Sequence, residues 1–125
     1  MQSAVARRMG VRITDVQAVD HVVSTDAPLG PVELGTRLGI RSASATVLVD
    51  RLVAAGHLRR EADPDDGRRI VLRATEHAHD EVHAALSPLL TEIDAIVDRL
   101  SPAEADTVLT FLSDVTAAMR GYATP

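Results

Sequence analysis

Leu58-Arg-Arg-Glu-Ala-Asp-Pro-Asp-Asp-Gly-Arg-Arg-Ile-Val-Leu-Arg-Ala-Thr75 is the stretch on which the fold turns. Two strand-like pieces, residues 57–62 and 69–74, flank Asp63-Pro-Asp-Asp-Gly-Arg68, where Pro and Gly occupy positions that turns demand. The spacing predicts a short β-hairpin with an acidic, proline-containing tip. Strand alternation sets Ile70 and Leu72 on one face and Arg69, Val71 and Arg73 on the other. The hairpin is basic although the 125-residue chain carries a formal charge of −5. Residues 37–73 hold Arg37, Arg41, Arg51, Arg59, Arg60, Arg68, Arg69 and Arg73 against Asp50, Glu61, Asp63, Asp65 and Asp66, a net +3. Residues 74–125 are −7 and residues 1–36 are −1. A basic centre beside an acidic end can orient a protein on phosphate.

Upstream of the hairpin the periodicity is helical. Residues 42–55 present Ala45, Leu48, Val49 and Leu52 at helical spacing, with Ser42 as the expected cap and Gly56 as the stop. Before them Pro31 opens a short helix that runs through Leu34 and Leu38 to Gly39. Thr14-Asp-Val-Gln17 reads as a capping box for a helix over residues 15–24. Two short helices across a glycine-containing turn make a helix-turn-helix, and the hairpin that follows supplies a wing. Thr75 caps a long helix over residues 76–100, expected to kink or break at Pro88. Ser101-Pro-Ala-Glu104 is a second capping box, for a helix over residues 102–120 with Val108, Leu109, Leu112, Val115 and Met119 on one face.

The expected fold is therefore mainly α with a small β-hairpin wing: a winged helix-turn-helix with long C-terminal dimerisation helices. One domain over residues 1–125 accommodates it, with a DNA-binding lobe at 13–75 and a helical dimerisation region at 1–12 and 76–125. Hydrophobic residues make up 46% and charged residues 25%, an ordinary globular composition. Aromatic residues are only 2%, so Leu, Val, Ile and Ala must fill the core. Cysteine is absent, which excludes disulfides, thiolate ligands and thiol redox sensing. No apolar run is long enough for a signal peptide or membrane span, and the expected location is cytoplasmic. Phosphate-binding loops, His-Glu-x-x-His and Gly-x-Ser-x-Gly are missing, so the chain is read as a non-enzyme without a cofactor. All thirteen basic residues are Arg, which suits phosphates and guanine edges but equally suits a GC-rich genome.

The order of elements resembles the MarR (multiple antibiotic resistance regulator) family of bacterial transcription factors. The family pattern Asp-x-Arg-x-x-x-Leu-x-Leu-Thr is met by Asp66-Gly-Arg68-Arg-Ile-Val-Leu72-Arg-Ala74-Thr75, with Ala74 in place of Leu. Residues 48–58 are similar to its recognition helix and the exit into the wing, and Pro28-Leu29 and Glu33-Leu34 to the approach. The family's longer first helix is represented only by residues 1–9. The resemblance implies a homodimer that binds a pseudo-palindromic double-stranded operator and represses transcription. It also implies a small-molecule effector, often phenolic, and an Arg68 that enters the minor groove, oriented by Asp66.

On this reading the DNA-contacting set is Arg41, Ser42, Ser44, Val47, Arg51, Arg68 and Arg69. Serines at a helix start can donate to phosphates or base edges, and Arg41 and Arg51 bracket the helix. The plainer roles stand beside these. Asp66 can simply initiate the turn, Arg51 can pair with an acid, and Arg59, Arg60, Arg69 and Arg73 can form a solvated hairpin face. Asp50 is expected to be structural, since an acid facing phosphate repels it. The recognition helix is lightly armed, so shape readout is expected to weigh more than base contacts. Two alternatives are distinct: a winged-helix interaction module without DNA binding, and a metal-responsive regulator using His79 and His83. That pair is spaced i, i+4, as two zinc ligands can be, but lacks an evident third ligand, and exposed helical histidines are common.

Overall fold

The computed structural model describes residues 1–123, which form six helices and one hairpin. In chain order these are α1 (Gln2–Met9), α2 (Ile13–Val23), α3 (Pro31–Leu38), α4 (Ser42–Ala54), β1 (Leu58–Ala62), β2 (Ile70–Ala74), α5 (Glu76–Val97) and α6 (Pro102–Ala123). This is the mainly α winged helix-turn-helix with a hairpin wing that the sequence predicts. No helix among the described residues is long and apolar enough to cross a membrane.

The chain divides into two compact units, Met1–Leu86 and the residues from Ser87 onward. In the first, one apolar core joins α2 (Ala18, Val22), the segment at Leu29, α3 (Leu34), α4 (Leu48, Val49, Leu52) and the hairpin (Leu58, Leu72). Leu34 and Val49 are fully buried, and complete burial of each such side chain stabilises the fold by about 1.5–3 kcal/mol before entropic costs. The strands pair antiparallel, with Arg60 opposite Leu72 and Ala62 opposite Ile70. The Leu72 N–H donates to the Leu29 carbonyl at 2.8 Å, so the extended Leu29 segment flanks β2.

Local differences from the expectations have physical causes. Thr14 does not cap α2, because the helix has already begun at Ile13. Asp15 instead accepts the Arg12 backbone N–H at 3.4 Å, satisfying a donor that a helix start leaves unpaired. Ser42 is the first helical residue of α4, with Arg41 at the cap position, so its hydroxyl is not used in capping. Helix α5 continues through Pro88 without a break: proline removes one hydrogen bond, and the helix carries on around it. In β2, Val71 and Leu72 are both buried while Ile70 is 45% exposed, so the alternation fails at the wing tip, where Ile70 lies beyond the core. The Thr75 cap is present, with the Ala78 N–H donating to the Thr75 hydroxyl at 3.1 Å. So is the second capping box, in which Ser101 and Glu104 each accept the other's backbone N–H.

The second unit holds the end of α5 and all of α6. None of its described residues is buried. Phe111 is 65% exposed, and Leu109, Leu112, Val115 and Met119 are exposed as well.

Candidate nucleic-acid interface

Helix α4 is seated by its apolar face, and the seating decides what remains outside. A Cβ placed on Gly35 would lie 2.8 Å from the Ala45 Cβ, so α3 and α4 approach at a distance only glycine permits. Gly39 closes α3 at a φ of +69°, a left-handed conformation that other residues rarely adopt. Its N–H donates to the Thr36 carbonyl and that of Ile40 to the Gly35 carbonyl, which sets the turn into α4. With Ala45, Leu48, Val49 and Leu52 turned inward, Arg41, Ser42, Ser44 and Val47 are exposed. Ser44 and Val47 border a shallow groove shared with Arg12, Gln17 and Arg51.

Arg51 is on that rim but its guanidinium points inward. Nε donates to Asp15 Oδ1 at 3.2 Å and a terminal nitrogen donates to the same oxygen. The Asp15 side chain is 9% exposed and that of Arg51 35%. Arg51 therefore ties α4 to the first turn of α2.

The wing sorts its arginines sharply. Arg68 projects from the tip with its side chain 96% exposed. Asp66 initiates the turn and lies near the Arg68 guanidinium. It accepts the Arg68 backbone N–H at 3.1 Å, fixing the turn, and lies 3.5 Å from the Arg68 Nε. Arg69, one residue on, is held by three acceptors. One terminal nitrogen donates to Asp63 at 2.9 Å, and the other donates to Glu33 and to the Pro28 carbonyl. The Asp65 N–H and then Arg69 hold the Asp63 carboxyl below its ordinary value. The backbone amide of Glu33 and then Arg69 do the same for Glu33. Both carboxylates raise the Arg69 guanidinium in turn, Glu33 more than Asp63. Arg69 thus clamps the wing to α3. Arg60 pairs with Asp50, confirming the structural role expected of that acid, while Arg59 and Arg73 both pair with Glu61.

The structure leaves Arg41, Ser42, Ser44 and Val47 exposed at the start of α4 and Arg68 exposed at the wing tip. It turns Arg51 and Arg69 to internal partners. Sequence reasoning missed both of those partners, each 36 residues away. A local signal existed for Arg69 alone, since it shares its strand face with Val71, which is fully buried.

Beside the helix-turn-helix is a largely apolar cavity of about 310 Å³. It is lined by Val16 and Val19 of α2, Leu52 of α4, and Ala78, Val82 and Leu86 of α5, with His79 and His83 at its edge. Those two histidines gather no third ligand among the described residues. A different group, His57, His77 and Glu81, has converging donor atoms.

Residues 9–69 match the sequence model of the MarR family. The helix-turn-helix-type transcriptional regulator YcgE of Bacillus subtilis is 41% identical over 69 residues, 55% of this chain and 44% of that protein. YkoM of the same organism, also a helix-turn-helix-type regulator, is 28% identical over 95 residues, covering 76% of this chain and 62% of its own. The chain thus spans less than two thirds of the length of either relative. The crystal structure of the Thermotoga maritima transcriptional regulator Tm0710 superposes with a TM-score of 0.75 at 25% identity, covering 99% of this chain and 87% of that one. With its helix-turn-helix, its wing and the Asp66–Arg68 tip in place, residues 9–69 carry the DNA-binding lobe of the MarR family.

Proposed function

We propose that this chain is a DNA-binding transcriptional regulator that works as a homodimeric, ligand-responsive repressor on a pseudo-palindromic operator. The observation that carries the reading is the exposed start of α4 (Arg41, Ser42, Ser44, Val47) together with a solvent-exposed Arg68 beside Asp66 at the wing tip. The start of α4 offers backbone N–H groups and two hydroxyls to phosphate. Val47 is 63% exposed, an apolar contact of the kind thymine methyls accept. Arg68 suits a narrow, electronegative minor groove. Dimerisation is supported by α6, which carries seven exposed apolar side chains, Val108 to Tyr122, that a lone chain leaves in water. The apolar cavity against α2, α4 and α5 supports the ligand response, since an occupant there touches the helix that presents the DNA-facing residues.

The test is binding to duplex DNA from upstream of the gene, measured across a salt series. Among the Arg of residues 37–73, only Arg37, Arg41 and Arg68 are not held in a short internal ion pair. Three phosphate contacts per chain in a dimer give a log–log salt slope of about −5. Arg68→Ala is expected to cost about 1–3 kcal/mol and to reduce that slope by about 1 per chain. Salt-independent or absent binding would overturn the reading in favour of an interaction module.

A further inference from the structure

We infer that His57, His77 and Glu81 form a binding site for one divalent transition-metal ion of the zinc type. His57 Nε2 lies 2.6 Å from Glu81 Oε2, and His77 Nε2 lies 3.2 Å from Glu81 Oε1. All the donor atoms lie within 4.8 Å of one another. The two imidazoles stack nearly parallel, 5.5 Å between centroids and 10° between planes, so both Nε2 atoms point at one carboxylate. A single ion pair needs one imidazole, and two converging on the same carboxylate make a ligand set. Two imidazole nitrogens and a carboxylate oxygen match zinc's borderline preference, and tetrahedral bonds of about 2.0–2.2 Å need donors only about 3.3 Å apart. Small rotations of these side chains reach that spacing. Ion entry takes the place of the His57–Glu81 hydrogen bond, whose proton leaves to solvent, and the fourth position is left to water.

The donors are held from behind. The His57 N–H donates to the Leu52 carbonyl at 2.8 Å, and its own carbonyl accepts the Thr75 N–H at 3.1 Å. The Thr75 hydroxyl donates to the Gly56 carbonyl and caps α5. His77 and Glu81, four residues apart on α5, face the same way. His57 is buried, while the His77 and Glu81 side chains are 55% and 38% exposed, which leaves the ion a path from solvent. A bound ion would tether the end of α4 and the root of the wing to the first turns of α5. The inference is independent of DNA binding.

The experiment is a titration of the metal-free full chain with Zn²⁺ against a chromophoric chelator, repeated with Co²⁺ to read tetrahedral ligand-field bands. No DNA is present. One ion per chain is expected. His77→Ala and Glu81→Gln should each weaken binding beyond the ~10–100-fold typical of an outer-shell change, while leaving the metal-free circular dichroism unaltered. His79→Ala and His83→Ala should leave affinity within about threefold, since neither supplies a ligand. Failure of the wild type to take zinc from the chelator would overturn the inference. So would binding that survives both His77→Ala and Glu81→Gln, or binding abolished by His79→Ala or His83→Ala.

Discussion

Arg51→Met separates a structural arginine from a DNA-reading one. Methionine keeps most of the apolar stem and removes the guanidinium that binds Asp15. An exposed ion pair contributes about 0.2–1 kcal/mol, and removing one partner of a fully buried pair costs about 3–5 kcal/mol. Here the Asp15 side chain is 9% exposed and the Arg51 side chain 35%, so the expected loss lies between, at about 1.5–3 kcal/mol. The orphaned carboxylate keeps the Arg12 N–H and the favourable end of the α2 dipole, which holds the cost below the fully buried limit. At roughly 4 °C per kcal/mol for a domain of this size, the melting temperature falls by about 6–12 °C. Urea unfolding of Arg51→Met, Asp15→Ala and the double variant should give a coupling energy of at least about 1 kcal/mol. Operator affinity of Arg51→Met, measured well below its melting temperature, should change by less than about threefold, against the roughly 1–3 kcal/mol lost with a base-contacting arginine. A coupling below about 0.5 kcal/mol, together with a large loss of affinity, would refute the assignment. That result would return Arg51 to the DNA-facing set.

Gly35→Ala places a methyl 2.8 Å from the Ala45 Cβ. The better helix propensity of alanine, about 1 kcal/mol, offsets part of the overpacking, and a net destabilisation of about 1–2 kcal/mol is expected in urea. Glu33 and Asp63 have folded-state pKa values lowered from 4.5 and 3.8 by backbone N–H groups and Arg69. The unfolded chain therefore binds more protons in that range, and stability is present at neutral pH and is lost as pH falls through the depressed values. Urea midpoints measured from about pH 6 to about pH 3 should fall, and Arg69→Met should flatten the slope. An unchanged slope would show that Arg69 does not set those carboxylates.

What was legible in the sequence was the information that short segments carry. The wing followed from Asp63-Pro-Asp-Asp-Gly-Arg68, which forces the chain to reverse, and α4 from the spacing of Ala45, Leu48, Val49 and Leu52, which leaves one apolar face. Ser101 and Glu104 signalled a helix start because both halves of that capping box lie within four residues. Thr14 and Gln17 imitated the same signal, but Asp15 had already been recruited by Arg12 and Arg51. The candidate site was legible as far as the exposure of the start of α4 and of Arg68, which follows from local periodicity and a turn. It was not legible for Arg51 or His57, whose partners are 36 and 24 residues away, nor for the link from Arg69 to Glu33, 36 residues away, although its other partner Asp63 lies in the same hairpin.

Ion pairing also changes what the basic centre means. Counted along the chain, residues 37–73 carry +3 and eight arginines. In the fold, Arg51, Arg59, Arg60, Arg69 and Arg73 are each held by Asp15, Glu61, Asp50, Glu33 or Asp63. Moving one of these to a phosphate exchanges a carboxylate partner for another anion and strands the carboxylate, so the net gain is small. Arg37 and Arg41 face no such exchange, and Arg68 gives up only a 3.5 Å contact that water already screens. Arg60 and Arg69 therefore fix the wing on the helix-turn-helix, Arg59 and Arg73 are paired within the hairpin by Glu61, and Arg68 is left exposed at its tip. On the proposed function this lets α4 be lightly armed: Arg68 and the exposed start of α4 would set the register, and the groove shape at the arginine tip would add to the choice of sequence.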